Sequence, residues 1–451
     1  MAMMTKLTRL SAAPSFEAAS LFATAKCRNH RRGVLSLTSA LLLGATLALG
    51  SFSSAYAQTT ITYWTQVAPG DGSPRGNALK AALDSFETKN PDIKVQVEVV
   101  APAMTDSNLI QSSAAGVGPD VTTVHQYKLA MDVEAGALMP LDELAASSDK
   151  QDWLLPWDAN FIEGRKYAIP SVYIFNVLLY RADLLKAAGV QVPSTWDEMC
   201  SAAPKINSSQ VIGYVVGLSR TDAAYTAIEW FENVMLSLKV PLFDKDGRAA
   251  FKTDAGLKPF ETMKQLISCN ATNKSIVEYN YESTTNGLSS GTVAMGNIGM
   301  HRLDTIRARG AGGNIAWAPP MNYTKGEAPP VAITGYSLAI GAHSKHPKEA
   351  WRFIEHMTGP QSQEIKAKAG EMPTRKSSFQ QPFFSTPAAA NMLQWSKYVS
   401  EHGSAHSYPP QWSDFALLVA DAMQGIVLKG TAPSAARDRL IADYNSLIGK
   451  P

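Results

Sequence analysis

Catalysis needs a nucleophile or base, a group to orient it and a third to stabilise developing charge, all converging on one point. The sequence contains no recognisable set of this kind: no Gly-x-Ser-x-Gly elbow, no glycine-rich phosphate loop and no His-Glu-x-x-His. His343 with His346, and His402 with His406, have spacings that could hold a metal on one helical face. The first pair runs into Pro347 and the second encloses Gly403, so neither sits mid-helix. A zinc site would also want three or four ligands, so surface or capping roles are expected, with no metal and no cofactor. The carboxylate pairs Asp142–Glu143 and Asp197–Glu198 fall in helix first turns, where the dipole accounts for them. No residue is assigned to catalysis, and the remaining polar and aromatic side chains must be judged as binding groups.

Elements that could position such groups follow from periodicity. Ile61 to Trp64 reads as a strand, Asn77 to Lys89 as a helix with Leu79, Leu83 and Phe86 on one face, and Ile93 to Val100 as a second strand. Leu109 to Ala115 reads as a helix, and Asp120 to Val124 as a third strand after the turn at Gly116-Val117-Gly118-Pro119. This β-α-β-α-β order predicts an α/β fold with a mostly parallel sheet. Val133 to Leu144 is expected to add a helix and a turn. The apolar run from Val172 to Tyr180 reads as one buried strand, followed by a short helix from Arg181 to Ala188 stopped at Gly189. Ser194 or Thr195 then caps the next helix, with Asp197 and Glu198 in its first turn.

The order of several motifs resembles that of extracellular solute-binding proteins of the maltose-binding type, the capture subunits of ABC importers. These are Phe86-Glu87 before Asn90-Pro91, Gly118-Pro119-Asp120-Val121, Gly136-Ala137-Leu138 with Pro140-Leu141-Asp142, and Gly164 to Trp196 with its Ala168-Ile169-Pro170 and Leu178-Leu179-Tyr180-Arg181. Gly291 to Met295, Gly335 to Ile340 and Lys348 to Ile354 continue the series in the same order. The resemblance implies a type II-like periplasmic binding protein: two α/β lobes joined by a multi-crossing hinge, with the ligand cleft between them. Crossings are expected near Val172, near Pro319-Pro320 and near Pro373. Lobe one would hold residues 58–171 and 321–372, and lobe two residues 172–320 and 373–451.

Residues 1–57 carry Lys26, Arg28, Arg31 and Arg32, an apolar run from Val34 to Leu49, and Ser-Ala-Tyr-Ala up to Ala57, the pattern of a cleavable signal peptide. Export to the periplasm is expected. The flanks of Arg31-Arg32 favour the general secretory route over the twin-arginine one. The formal net charge of the whole chain is +2. Without the first 57 residues, which hold six basic residues and Glu17, 35 Lys and Arg face 38 Asp and Glu, and no basic patch argues for nucleic acid. Cys200 and Cys269 survive processing into an oxidising compartment. Either a disulfide or two buried thiols fits the sequence.

In the resembled family, binding groups come from loops at the carboxyl ends of strands. Mapped onto this chain, the candidates are Trp64 and Gln66 after the first strand, and His125, Gln126 and Tyr127 after the third. Tyr173 and Asn176 lie at the first crossing, and Asp222 and Tyr225 follow the strand at Gly213 to Gly217. His301 and Arg302 stand where the family often has an aromatic, Gly335 and Tyr336 lie on the return strand, and Trp412 is a candidate for the missing ring. Planar rings with a fan of polar groups suit a carbohydrate. The reading is therefore a periplasmic substrate-binding subunit that captures a sugar or oligosaccharide by hinge closure and delivers it to the permease subunits of an ABC importer. A monomer without covalent chemistry is expected. Another polar solute, such as a polyol or amino-acid derivative, is the alternative, with a secreted carbohydrate-active enzyme as the different-class one.

Overall fold

Alternating side chains make the first strands: Ile61, Tyr63 and Thr65 point into the core while Thr60 faces out, and Ile93 and Val95 alternate with exposed Lys94 and Gln96. The computed structural model describes residues 58–449, so the signal peptide read over residues 1–57 lies outside the described residues. In chain order the strands are β1 (Thr59–Thr65), β2 (Ile93–Val99), β3 (Val121–His125), β4 (Ala168–Ile174), β5 (Asn176–Arg181), β6 (Ile212–Val215), β7 (Val293–Gly299), β8 (Ile315–Ala318), β9 (Val331–Ala332), β10 (Thr334–Ile340) and β11 (Gly403–Ser404). One sheet has the order β2-β1-β3-β10-β4, with β1 parallel to β2 and β3, and β10 antiparallel to β3 and β4. A second has the order β6-β7-β5-β8, with β6 parallel to β7 and β5 antiparallel to β7 and β8, and β9 and β11 pair in parallel as a small two-stranded sheet. The two larger sheets are those of the two α/β lobes of a type II periplasmic binding fold.

Each of the two larger sheets has its own core. The helix Pro74–Lys89, capped by Ser73 Oγ accepting from Gly76 N at 3.0 Å, buries Leu79, Leu83 and Phe86 at helical spacing. Phe86 and Tyr63 each meet Phe353 of the helix Pro347–Met357 at 5.1 Å between ring centroids. A phenylalanine buried in this way stabilises the fold by about 1.5–3 kcal/mol. Around the second sheet, Phe231, Phe243, Phe251, Phe415 and Tyr444 pack edge to face.

Two expected spans differ from the structure. The run Val172 to Tyr180 is two strands, β4 in one sheet and β5 in the other, separated only by Phe175, whose side chain is buried. The helix expected from Val133 ends instead at Glu134, because Gly136 takes φ 66° and turns the chain. The cysteines left open by the sequence are joined: Cys200 and Cys269 form a disulfide with Cα atoms 5.7 Å apart. Among the described residues no helix is long and apolar enough to cross a membrane.

Candidate functional site

The carboxyl ends of β3, β6 and β7 lead into segments that line one cavity of about 540 Å³. From the first sheet come Arg75 at the start of the helix after β1, His125 at the end of β3, and Tyr336 on β10. From the second come Asp222 and Tyr225 after β6, Glu229 in the helix Ala227–Ser237, Tyr281 at the start of the helix Tyr281–Ser290, and His301 and Arg302 after β7. Glu371 closes the rim. A smaller cavity of about 60 Å³ shares Arg75, Tyr336 and Glu371 and is lined further by Gln66, Ser171 and Lys366.

Its walls are held by contacts among the lining groups. His125 sits 5.6 Å from Tyr225 and 5.0 Å from Tyr336 between ring centroids, so one ring of the first sheet touches one from the second. Asp222 Oδ2 accepts from the backbone N–H of Tyr281 at 3.0 Å, fixing the start of a helix whose cap is Asn280. The Tyr281 hydroxyl accepts from Gly299 N–H at 3.1 Å, its ring lies parallel to His301 with centroids 5.9 Å apart, and the Arg302 guanidinium stands 4.9 Å over it. Arg75 Nε donates to Glu371 Oε1 at 2.6 Å.

Burial governs protonation here. It pushes His125 down to about 3, helped by Lys128, and His301 down to about 3, helped by Arg302 and Arg75, so both imidazoles are neutral near pH 7. Glu229 is raised well above the usual carboxylate range by burial and by neighbouring Glu232, against the pull of Asn176 and Thr334. Lys366, buried and donating to Ser171 Oγ at 2.7 Å, is lowered to about 8 by burial. Outside the cavity, His406 Nε2 lies 2.8 Å from Glu232 Oε1, so this histidine of the His402–His406 pair faces a carboxylate.

Of the residues singled out from sequence, His125, Asp222, Tyr225, His301, Arg302 and Tyr336 line the larger cavity and Gln66 the smaller. The others do not. Trp64 donates its indole N–H to Glu98 Oε2 on β2 at 2.7 Å. Gln126 is buried beside the cavity, and Tyr127 lies behind its wall with its ring 3.9 Å from His125. Tyr173 and Asn176 are 2 % exposed, on β4 and β5. Trp412 is a core residue: it is 2 % exposed and packs on Tyr408 at 4.5 Å and Phe415 at 5.8 Å. Gly335 gives room to backbone: with φ 131°, any Cβ there would stand 2.0 Å from the Val172 carbonyl oxygen. Gly335→Ala is therefore expected to destabilise the unliganded protein by at least about 1–3 kcal/mol. An unchanged melting temperature would contradict that close approach.

Glu229, Tyr281, Arg309 and Glu371 line the cavity without having been selected from the sequence. Two left a readable trace. Glu229 and Glu232 interrupt an otherwise apolar helical run, and Tyr281 follows the capping residue Asn280.

A cleft reached by loops of two α/β sheets is an arrangement that captures a small molecule. Comparison with known proteins points the same way. The chain is 23 % identical over 394 residues to a binding protein of Brucella abortus (strain 2308), covering 83 % of this chain and 90 % of that one. Its fold matches the sugar-binding protein MalE of Xanthomonas citri at TM-score 0.73, with 23 % identity over 87 % of this chain and all of the other. It also matches the GacH receptor of Streptomyces glaucescens, solved unliganded and with acarbose, at TM-score 0.72, with 23 % identity over 86 % of this chain and 98 % of that one. The family model for bacterial extracellular solute-binding proteins matches residues 70–364, and with both lobes and the cleft in place the chain belongs to that family.

Proposed function

We propose that this protein is the periplasmic substrate-binding subunit of an ABC importer, that its solute is a sugar or short oligosaccharide, and that it performs no covalent chemistry. The observation that carries this reading is the cavity of about 540 Å³ lined from both sheets by tyrosines, neutral imidazoles and charged hydrogen-bonding groups. Rings with polar tips suit the apolar faces and hydroxyls of a pyranose. The description of the Xanthomonas protein as sugar-binding and the acarbose complex of the Streptomyces receptor support the same class. The hinge then runs through Phe175, near Pro319-Pro320 and near Pro373, and places residues 58–171 and 321–372 largely in one lobe. Ligand favours closure because it contacts both lobes only in the closed state. The closed form is what the permease recognises, and the protein acts as a monomer.

A thermal-shift screen against mono- and oligosaccharides, polyols and amino acids tests the proposal. A sugar present at ~1,000 times its dissociation constant should stabilise the protein by ~4 kcal/mol, seen as a melting temperature raised by several degrees. Response to polyols or amino acids with none to any sugar refutes the carbohydrate assignment.

A further inference from the structure

Two buried polar atoms of the cleft lining lack a hydrogen-bond partner, His301 Nδ1 and Arg302 Nε, and the second belongs to a cation. Among the lining acids, Glu371 takes Arg75 Nε, Asp222 takes the Tyr281 N–H, and Glu229 is raised well above the usual carboxylate range by burial. Glu282, beside the cavity, is shared by two guanidiniums: Arg302 Nη1 lies 3.7 Å from one of its oxygens, and Arg309 Nη1 contacts the other. The donors are in excess. Arg302 Nε is buried without a hydrogen-bond partner, whereas Arg75, its side chain 49 % exposed, meets Glu371 through Nε and keeps its terminal nitrogens open to solvent or ligand. These two arginines come from different lobes, yet both act electrostatically on Tyr336 and on His301. Lys128, the other cation near this end of β3, is drawn to Asp106 at 3.6 Å and stays out of the cavity.

A sugar hydroxyl that accepts from a guanidinium can donate in turn to a neighbouring acid such as Glu371, but it brings no charge to the pair. A carboxylate accepts at both oxygens, matches the planar fork and returns no proton. We infer that the cleft takes an acidic sugar, a hexuronate or a short hexuronate-containing saccharide, with its carboxylate held between Arg75 of one lobe and Arg302 of the other. The inference rests on the carbohydrate reading above and narrows it. Because the two guanidiniums belong to different lobes, the anionic group itself ties the lobes together, and an uncharged parent sugar lacks that tie.

Isothermal titration of the purified protein with D-glucuronate, D-galacturonate, their dimers, the neutral parents and D-glucose 6-phosphate decides the matter. A hexuronate should bind on the order of 100-fold more tightly than its neutral parent, as two charge-assisted contacts allow. The preference should weaken as salt rises. Arg302→Gln should remove most of that preference, read as the ratio of acid to neutral affinity in the same variant, and Arg302→Lys should keep part of it. The unliganded melting temperature of each variant checks that it folds. A neutral sugar binding as tightly as its acid, a sugar phosphate binding more tightly than both, or an Arg302→Gln protein that keeps the preference overturns the inference. Binding of polyols or amino acids with no sugar of either charge is a distinguishable result, because it removes the carbohydrate reading itself.

Discussion

Trp412→Ala should lower the stability of the unliganded protein by about 3–5 kcal/mol, the loss expected when a buried tryptophan is truncated, and leave affinity for a sugar within about twofold. The indole is the first residue of the helix Trp412–Lys429 and sits among Tyr408, Phe243 and Phe415. That cluster joins the helix to the one ending at Leu447 through the Phe415–Tyr444 contact at 5.0 Å. A cavity there removes contacts that relaxation restores only in part. Denaturation of the unliganded variant, paired with titration of the same preparation, separates packing from recognition. A variant with normal stability and binding weakened tenfold or more would return Trp412 to the ligand site.

Removing the disulfide is the second large effect. Cys200→Ser with Cys269→Ser should lower stability by about 4 kcal/mol if the bridge acts by restricting the unfolded chain, given the 69-residue separation it closes. The bridge ties the helix Trp196–Ala202 to the residue after the helix Asp254–Ser268. Mass spectrometry after alkylation without reductant should find neither thiol modified. Two alkylated cysteines, or a double serine variant as stable as the parent, would contradict the pairing.

The start of the first lobe was legible because β1 and β2 each keep one face more exposed than the other. The alternation of β1 and β2 and the Leu79, Leu83, Phe86 spacing survive in the structure with ends moved by only a few residues. Strands buried on both faces carry no period, so the run Val172 to Tyr180 could not show that it divides at Phe175 between two sheets. The cavity lining was legible to the extent that it hangs from strand ends, which is how His125, Asp222, Tyr225 and His301 were singled out. Glu229 and Arg309 were not, since a helical residue reaches the cleft only through the packing of its helix. Trp412 misled for a related reason. Pro409-Pro410 suggests a loop, but the helix that follows begins inside the core.

The strand order β2-β1-β3-β10-β4 also governs the chain's assembly. β10 is the only strand between β3 and β4, and it lies 160 residues beyond its partner in the Thr334–Ile174 contact. All four strands of the other sheet are translated in that interval. Until Ile340 has emerged, β3 presents an unpaired edge and β4 has no neighbour in its sheet, the condition in which strands recruit foreign partners. Closing a loop of that length costs about 4–5 kcal/mol of chain entropy, and an intervening sheet that has already formed shortens the loop to be closed. The later sheet can be completed without the earlier one, whereas the earlier sheet cannot be completed before all four strands of the later one have been made.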